Sequence, residues 1–137
     1  MGSRRRSREC ALQVLYLIDA NDEGGVDLAL QRYWASFDGP DDARPFAEEL
    51  ARGTYRQRTE IDEMISTAAT NWRIERMGRV DRNILRCAVY EMLAYADIPP
   101  RVTINEAVEL AKRFGSEDTP RFVNGVLDAI RQKLGRE

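Results

Sequence analysis

The chain has 137 residues, of which 43% are hydrophobic and 32% charged, and its formal net charge is −2. This length and composition are typical of one ordinary globular domain and unlike those of disordered chains. Because the chain has no histidine, His-dependent catalytic pairs, histidine-ligated zinc or haem, and imidazole acid–base chemistry are all excluded.

Apolar residues recur at intervals of three and four over most of the chain, a spacing typical of helices, and alternating strand-like patterns are absent. We therefore predict an all-α fold, a compact bundle of about seven helices. In chain order they are 5–20, 27–37, one with Pro45 in its first turn, one starting at Thr59, the central helix 80–95, one opened by Thr103–Glu106, and one starting at Pro120. The connection Asn71–Gly78 is predicted to separate two small subdomains, 1–74 and 75–137, within the single domain 1–137.

Two of these helix starts depend on capping boxes, at Thr59–Asp62 and at Thr103–Glu106. Gly125 falls inside the last predicted helix, where glycine costs about 1 kcal/mol relative to alanine. We expect a close helix–helix contact to offset that cost. Cys10 and Cys87 lie among apolar neighbours and are expected to be reduced core residues, as in a cytoplasmic protein.

The basic residues are concentrated at the amino terminus. Arg4, Arg5, Arg6 and Arg8 give +4 within eight residues, which leaves 17 basic against 23 acidic residues, a net charge of −6, for the remainder. Such separation is typical of a protein that turns one basic edge towards an anion such as a phosphate backbone. A merely solvated helix end is the alternative at this point.

A second basic stripe, Arg79, Arg82 and Arg86, has helical spacing. A nucleic-acid edge, a subunit interface and a plain exposed face all remain open for it. The rings of Tyr16 and Phe122 lie near basic residues in the sequence and could stack on bases, although core packing is the default for both.

Motifs for chemistry are missing from the sequence. It contains no phosphate-binding glycine loop, dinucleotide fingerprint, zinc-protease motif or nucleophile elbow. We expect no enzyme activity, no catalytic residue, no cofactor and no metal. No apolar run approaches the roughly 18 residues of a membrane span, and the arginine-led first helix fails as an export signal because acids interrupt it.

Four stretches of the sequence resemble the NusB family of transcription antitermination factors: residues 4–13, 80–86, 104–115 and 121–128. The most specific part pairs N-E-A-V-E-L-A-K-R-F-G with R-F-V-N-G-V-L-D. The resemblance spans essentially the whole chain in order. It implies a NusB-like all-helical protein that binds the boxA element of nascent ribosomal RNA, a single-stranded RNA, together with the small-subunit ribosomal protein NusE, within an antitermination complex with RNA polymerase.

The resemblance also implies site residues. Those expected at RNA are Arg4, Arg5, Arg6, Arg8, Asp118, Arg121 and Phe122, and those expected at the protein partner are Asp81, Arg82 and Leu85. Asp118 is an acid beside an anion, so we predict that Asp118→Asn tightens RNA binding.

Three alternatives stay open. The fold could serve as a homo-oligomeric scaffold that binds only protein, or as a module related to the front domain of ribosomal RNA methyltransferases. The stand-alone factor is favoured over the latter because no catalytic domain follows Glu137. A homodimer that covers the RNA surface is the third.

Overall fold

The computed structural model describes residues 2–37, 39–70 and 72–137. These residues form seven α-helices and no strand, which confirms the all-α prediction. The helices are α1 (Gly2–Ala20), α2 (Gly25–Ser36), α3 (Arg44–Arg56), α4 (Arg58–Ala68), α5 (Arg79–Ala94), α6 (Pro100–Phe114) and α7 (Thr119–Lys133). Short 3-10 turns at Asp41–Ala43 and Ile74–Arg76 precede α3 and α5.

Prolines mark three of the helix starts. Pro45, Pro100 and Pro120 stand in the first turns of α3, α6 and α7, where proline is tolerated because the first turn needs no backbone N–H donor. The predicted capping box at Thr103 is wrong: α6 begins three residues earlier, and the Thr103 hydroxyl donates to the Glu91 carboxylate at 2.5 Å instead.

The predicted capping box at Thr59–Asp62 is wrong as well. Helix α4 begins at Arg58, and its N-cap residue Gln57 makes no side-chain capping bond. The chain runs from α3 into α4 with only Gln57 between them, so the start of α4 is held by the preceding helix. Ile61 and Ile65 of α4 are fully buried, and this tertiary packing stabilises the helix without a cap.

Helix α5 lies at the centre, as predicted, and packs against α1, α3, α4, α6 and α7. Its apolar residues join those of α4, α6 and α7 in the largest core cluster, while α1, α2 and α3 form a second cluster. Ile61 and Ile65 of α4 pack in the larger cluster, on the far side of the chain boundary predicted at residues 71–78. The two-subdomain division stays a prediction, and Asn71 lies outside the described residues.

Cys10 and Cys87 are buried and free, which confirms that they are core residues. Burial raises the pKa of the Cys87 thiol to about 12. The expectation for Gly125 is wrong, because a Cβ added there would meet no atom within 4 Å. The close helix approach is at Gly53 of α3 instead, where an added Cβ would overlap the Tyr90 ring of α5.

Candidate nucleic-acid interface

Arg8 is part of the core and not of the surface. It is 7% exposed, and its guanidinium donates two hydrogen bonds to the Glu91 carboxylate, at 2.8 and 2.9 Å. Burial lowers the pKa of Arg8, but the hydrogen bonds and charge of Glu91 outweigh it and the net direction is upward. Glu91 neutralises the charge of Arg8 inside the protein, so the structure favours a core role for Arg8 over the expected RNA contact.

Arg5 is exposed but has an internal partner. Its guanidinium donates to both oxygens of Glu106 in α6, at 3.0 and 2.7 Å, while its side chain stays 56% exposed. The hydrogen bond with Glu106 raises the pKa of Arg5, and the same bond lowers the pKa of Glu106. Both bonds to Glu106 come from Nε and Nη2, so the outer Nη1 side of the guanidinium can approach a phosphate while the pair is kept.

Arg6 belongs to a second connection between α1 and α6. Arg6 donates to one oxygen of the buried Glu9 at 3.0 Å, and Arg113 of α6 donates to the other. The Arg113 side chain remains largely exposed, and its guanidinium lies 5.1 Å from the Phe114 ring. Our sequence prediction did not include Arg113, because only the tertiary fold brings it to the arginines of α1.

Arg4 is exposed, and its guanidinium lies 4.6 Å from the centre of the Phe46 ring. With Arg5 it lines an open cleft of about 800 Å³ that also includes Pro99 and Val102. We call Arg4, Arg5, Arg6 and Arg113 the amino-terminal basic edge. Counting Arg8 as well, five arginines face four carboxylates, those of Glu9, Glu91, Glu106 and the cleft residue Asp97, so this region keeps a net charge of +1.

The second group expected at RNA lies at the start of α7. Asp118 and Arg121 are exposed, and Asp118 occupies the N-cap position without making a side-chain capping bond. Phe122 is half-buried against the core and meets the ring of Trp72 edge to face, with 6.4 Å between ring centres. Trp72 was not predicted as a site residue, because it lies between helices where apolar periodicity gives no signal.

The expected partner residues separate into one surface residue and two internal ones. Leu85 is 0% exposed, so its assignment to a protein contact is wrong: it fills the core between helices. The Arg82 guanidinium donates to Asp19 at 2.5 Å and is mostly buried. Asp81 is partly exposed and accepts a hydrogen bond from the Thr119 hydroxyl at 2.9 Å, which ties α5 to the start of α7.

The basic stripe predicted on α5 is largely neutralised. Arg86 donates to both oxygens of Asp62, at 2.7 and 2.9 Å, and Arg82 donates to one oxygen of Asp19. Burial raises the pKa of Asp19, but its bonds to Arg82 and Asn83 outweigh this and lower it overall. Arg79 is the member of the stripe that is exposed, so the stripe does not form a continuous basic surface.

An apolar groove of about 400 Å³ lies between α1, α2, α5 and α6. Tyr16, Leu17 and Phe37 line it and are exposed, an unusual grouping of large apolar side chains. Val80 and Phe114 line it as well, and Asp81 follows Val80 in the chain. We call these five residues the apolar groove.

Across the described ranges, no group of three or more His, Cys, Asp or Glu side chains is placed to hold a metal ion. Within the same ranges, no helix is both long and apolar enough to cross a membrane.

Comparison with known proteins places these features in a family context. The sequence profile of the NusB family matches residues 5–132. A transcription antitermination protein NusB of Anaeromyxobacter dehalogenans is 51% identical over 136 residues, covering 98% of this chain and 94% of the relative. That of Syntrophus aciditrophicus is 46% identical over 138 residues, covering 100% of this chain and 84% of the relative.

Solved structures agree with the fold. The NusB of T. maritima superposes with a TM-score of 0.85 at 37% identity, covering 95% of this chain and 91% of that one. A crystal structure of antitermination factors NusB and NusE in complex with dsRNA superposes with a TM-score of 0.86 at 30% identity, covering 97% and 98% of the two chains.

Proposed function

Because the chain belongs to the NusB family, we propose that it is a transcription antitermination factor that binds boxA-type single-stranded RNA together with NusE. The observation that carries the RNA part is the amino-terminal basic edge, an exposed group of guanidiniums on a chain that is otherwise acidic. A guanidinium can fork onto a phosphate, and the acidic remainder repels RNA that approaches elsewhere.

The internal carboxylates do not cancel this edge. Glu9 lies between Arg6 and Arg113, so one buried negative charge orients two cations. Glu106 holds the Arg5 guanidinium in one position while more than half of the side chain stays in water. An arginine that is already ordered loses less rotamer entropy when it binds a phosphate. The ion pairs therefore pre-order the arginines of the basic edge for RNA binding, although they reduce its net positive charge.

The protein-partner face is proposed at the apolar groove and the neighbouring Asp81. Exposed apolar side chains grouped in a groove are typical of protein interaction sites. Tyr16 has the further support of Arg79, whose guanidinium lies 5.8 Å from its ring and orders this end of the groove. The relative solved with NusE and dsRNA supports NusE as the partner. That pairing supplies sequence selectivity that a small module of low net charge lacks alone.

The larger assembly follows from the same premise. Acting on nascent ribosomal RNA, the protein and NusE would join an antitermination complex with RNA polymerase in the cytoplasm. A homodimer that covers the basic edge is proposed as the resting form. Sedimentation of a dilution series in an analytical ultracentrifuge, with and without RNA, tests this proposal. If the dimer interface and the RNA use the same basic edge, the dimer should dissociate as RNA is added. A dimer that persists with RNA bound would contradict the proposal.

The experiment that tests the function is a fluorescence anisotropy titration of a labelled boxA RNA, with and without NusE. Replacing Arg4–Arg6 by glutamine should weaken binding at least tenfold, while the control variant with Arg32, Arg56 and Lys133 replaced by glutamine should bind like the parent protein. A scrambled strand and a duplex of the same sequence should bind more weakly in the presence of NusE. Equal binding of all three RNAs would contradict boxA recognition.

A further inference from the structure

Trp72 is an exposed aromatic residue that the amino-terminal basic edge and the apolar groove do not use. It lies after α4, just before the 3-10 turn Ile74–Arg76, and 53% of its surface is exposed. Its ring meets that of Phe122 edge to face, a contact that orients the indole while more than half of its surface stays in water. A tryptophan that is oriented by another ring and yet largely exposed leaves aromatic surface for a flat ligand.

The charges beside this pair favour an anionic ligand. Arg73 follows Trp72 in the chain, Arg121 precedes Phe122, and both are exposed. Neither makes an ion pair with a carboxylate in the part of the chain that the structure describes, in contrast to Arg5, Arg8 and Arg86. Aromatic faces next to uncommitted guanidiniums are the arrangement that binds single-stranded nucleic acid, by base stacking and phosphate contact.

Gly125 supplies a second, independent observation. It lies one turn after Phe122 on the same side of α7, it is exposed, and an added Cβ would meet nothing within 4 Å. A glycine lowers the helix propensity here, although no protein atom occupies the space that a side chain would fill. The surface of α7 next to the Phe122 ring is therefore bare, and a planar group can approach the helix backbone there.

We propose that Trp72 and Phe122 form a stacking platform for one base of the bound RNA, with Arg73 and Arg121 as phosphate contacts on either side. This deepens the proposed function: the resemblance implies that Phe122 is at RNA, and the structure adds Trp72 and a mode of contact. Stacking accepts any base, so the platform anchors the strand and leaves sequence selection to other contacts.

The chain has two tryptophans, which makes the platform directly observable. Trp34 is half-buried, with its indole N–H donating to Glu48, so a Trp34→Phe background leaves Trp72 as the sole tryptophan emitter. Titration with boxA RNA should quench the Trp72 emission as the base stacks, with the same midpoint as the anisotropy titration. An emission that does not change while anisotropy reports binding would overturn the proposal.

Affinity tests the contribution of the platform. Stacking contributes about 1–3 kcal/mol per base, so Trp72→Ala should weaken boxA binding by roughly 5-fold or more with no change in salt dependence, because no charge is removed. Trp72→Phe should retain most of the affinity. Leu93→Ala truncates another exposed large apolar side chain, on α5 and outside the basic edge, the apolar groove and the platform; it is the matched control and should leave RNA binding unchanged.

The outcomes separate this proposal from the proposed function. If the parent protein binds boxA RNA and Trp72→Ala binds equally well, the platform is wrong and the function stands. If Trp72→Ala weakens NusE binding and not RNA binding, Trp72 is a protein contact and the platform is again wrong. If the parent protein does not bind RNA, the platform and the proposed function are both wrong. Thermal unfolding of each variant checks that the fold is retained, as expected for a side chain so exposed.

Discussion

A substitution at Arg8 distinguishes a surface role from a core role, because the sequence places this residue in the basic cluster and the structure pairs it with the buried Glu91. Replacing Arg8 by methionine keeps the length of the side chain and removes its charge. Glu91 is 2% exposed and receives hydrogen bonds from Arg8 and Thr103. In Arg8→Met it retains only the bond from Thr103, and its negative charge is buried without a counter-charge.

The expected cost follows from that uncompensated charge. Removing one partner of a buried ion pair typically costs about 3–5 kcal/mol. For a chain of this size that corresponds to a fall of roughly 10–20 °C in the unfolding midpoint. Replacing the whole polar cluster, with Arg8→Met, Glu91→Leu and Thr103→Val together, removes the orphaned charge and should recover most of the stability, since apolar replacements of buried pairs are often neutral or better.

Urea unfolding followed by circular dichroism measures both variants, and Arg5→Met is the control because its pair with Glu106 is exposed and should affect the urea midpoint little. The effects of these variants on RNA affinity should be the opposite of their effects on stability. Arg5→Met should weaken RNA binding, and the stable triple variant should bind boxA RNA with the salt dependence of the parent protein. If Arg8→Met is as stable as the parent, or if the triple variant loses RNA affinity, the core assignment of Arg8 is refuted.

Three further predictions follow from the same contacts. Gly53→Ala should lower the free energy of unfolding by about 1–3 kcal/mol because its Cβ would overlap the Tyr90 ring, and Gly125→Ala should raise it by up to about 1 kcal/mol; urea midpoints that move in the same direction would contradict the packing. The pKa of Glu106 is lower in the folded state, so its contribution to the stability of the fold is complete above the unfolded-state pKa of about 4.3 and is lost as the pH falls through the folded-state value. The difference in melting temperature between the parent protein and Glu106→Gln should therefore be constant from pH 6 to 8 and shrink at pH 3. A difference that grows on acidification would refute this prediction. Asp118→Asn should tighten RNA binding by roughly two- to fivefold, the size of one exposed charge contact, since Asp118 makes no capping bond that the change would remove; an anisotropy titration showing equal or weaker affinity would contradict its placement near RNA.

Much of the fold could be predicted from the sequence because helical periodicity is a local signal. The central position of α5 followed from its wide apolar arc, and the first turns of α3 and α7 followed from their prolines. The start of α6 could not be read from Thr103, because the same residue pattern fits a capping box and a buried helix interior. A carboxylate 12 residues away, that of Glu91, decides between them.

The site was less predictable because its electrostatics depend on distant partners. Arg5 and Arg8 look equivalent in the sequence, yet their carboxylates come from residues 101 and 83 positions away, and only one of the two pairs is buried. Leu85 was assigned through the resemblance, although its own place in the apolar arc of α5 indicates the core. Trp72 lies outside every helix, where its exposure depends on how α7 packs beside it.

The most direct test of the account is the dependence of boxA affinity on salt concentration. For single-stranded RNA, the logarithm of the binding constant falls by about 0.7 per neutralised phosphate for each tenfold rise in salt. The account predicts that replacing the two exposed arginines of the basic edge that do not pair with the buried Glu9, Arg4 and Arg5, flattens this slope by roughly one to one and a half units while the fold is retained. A slope equal to that of the parent protein would show that these guanidiniums do not bind the RNA and would favour a scaffold that binds only protein.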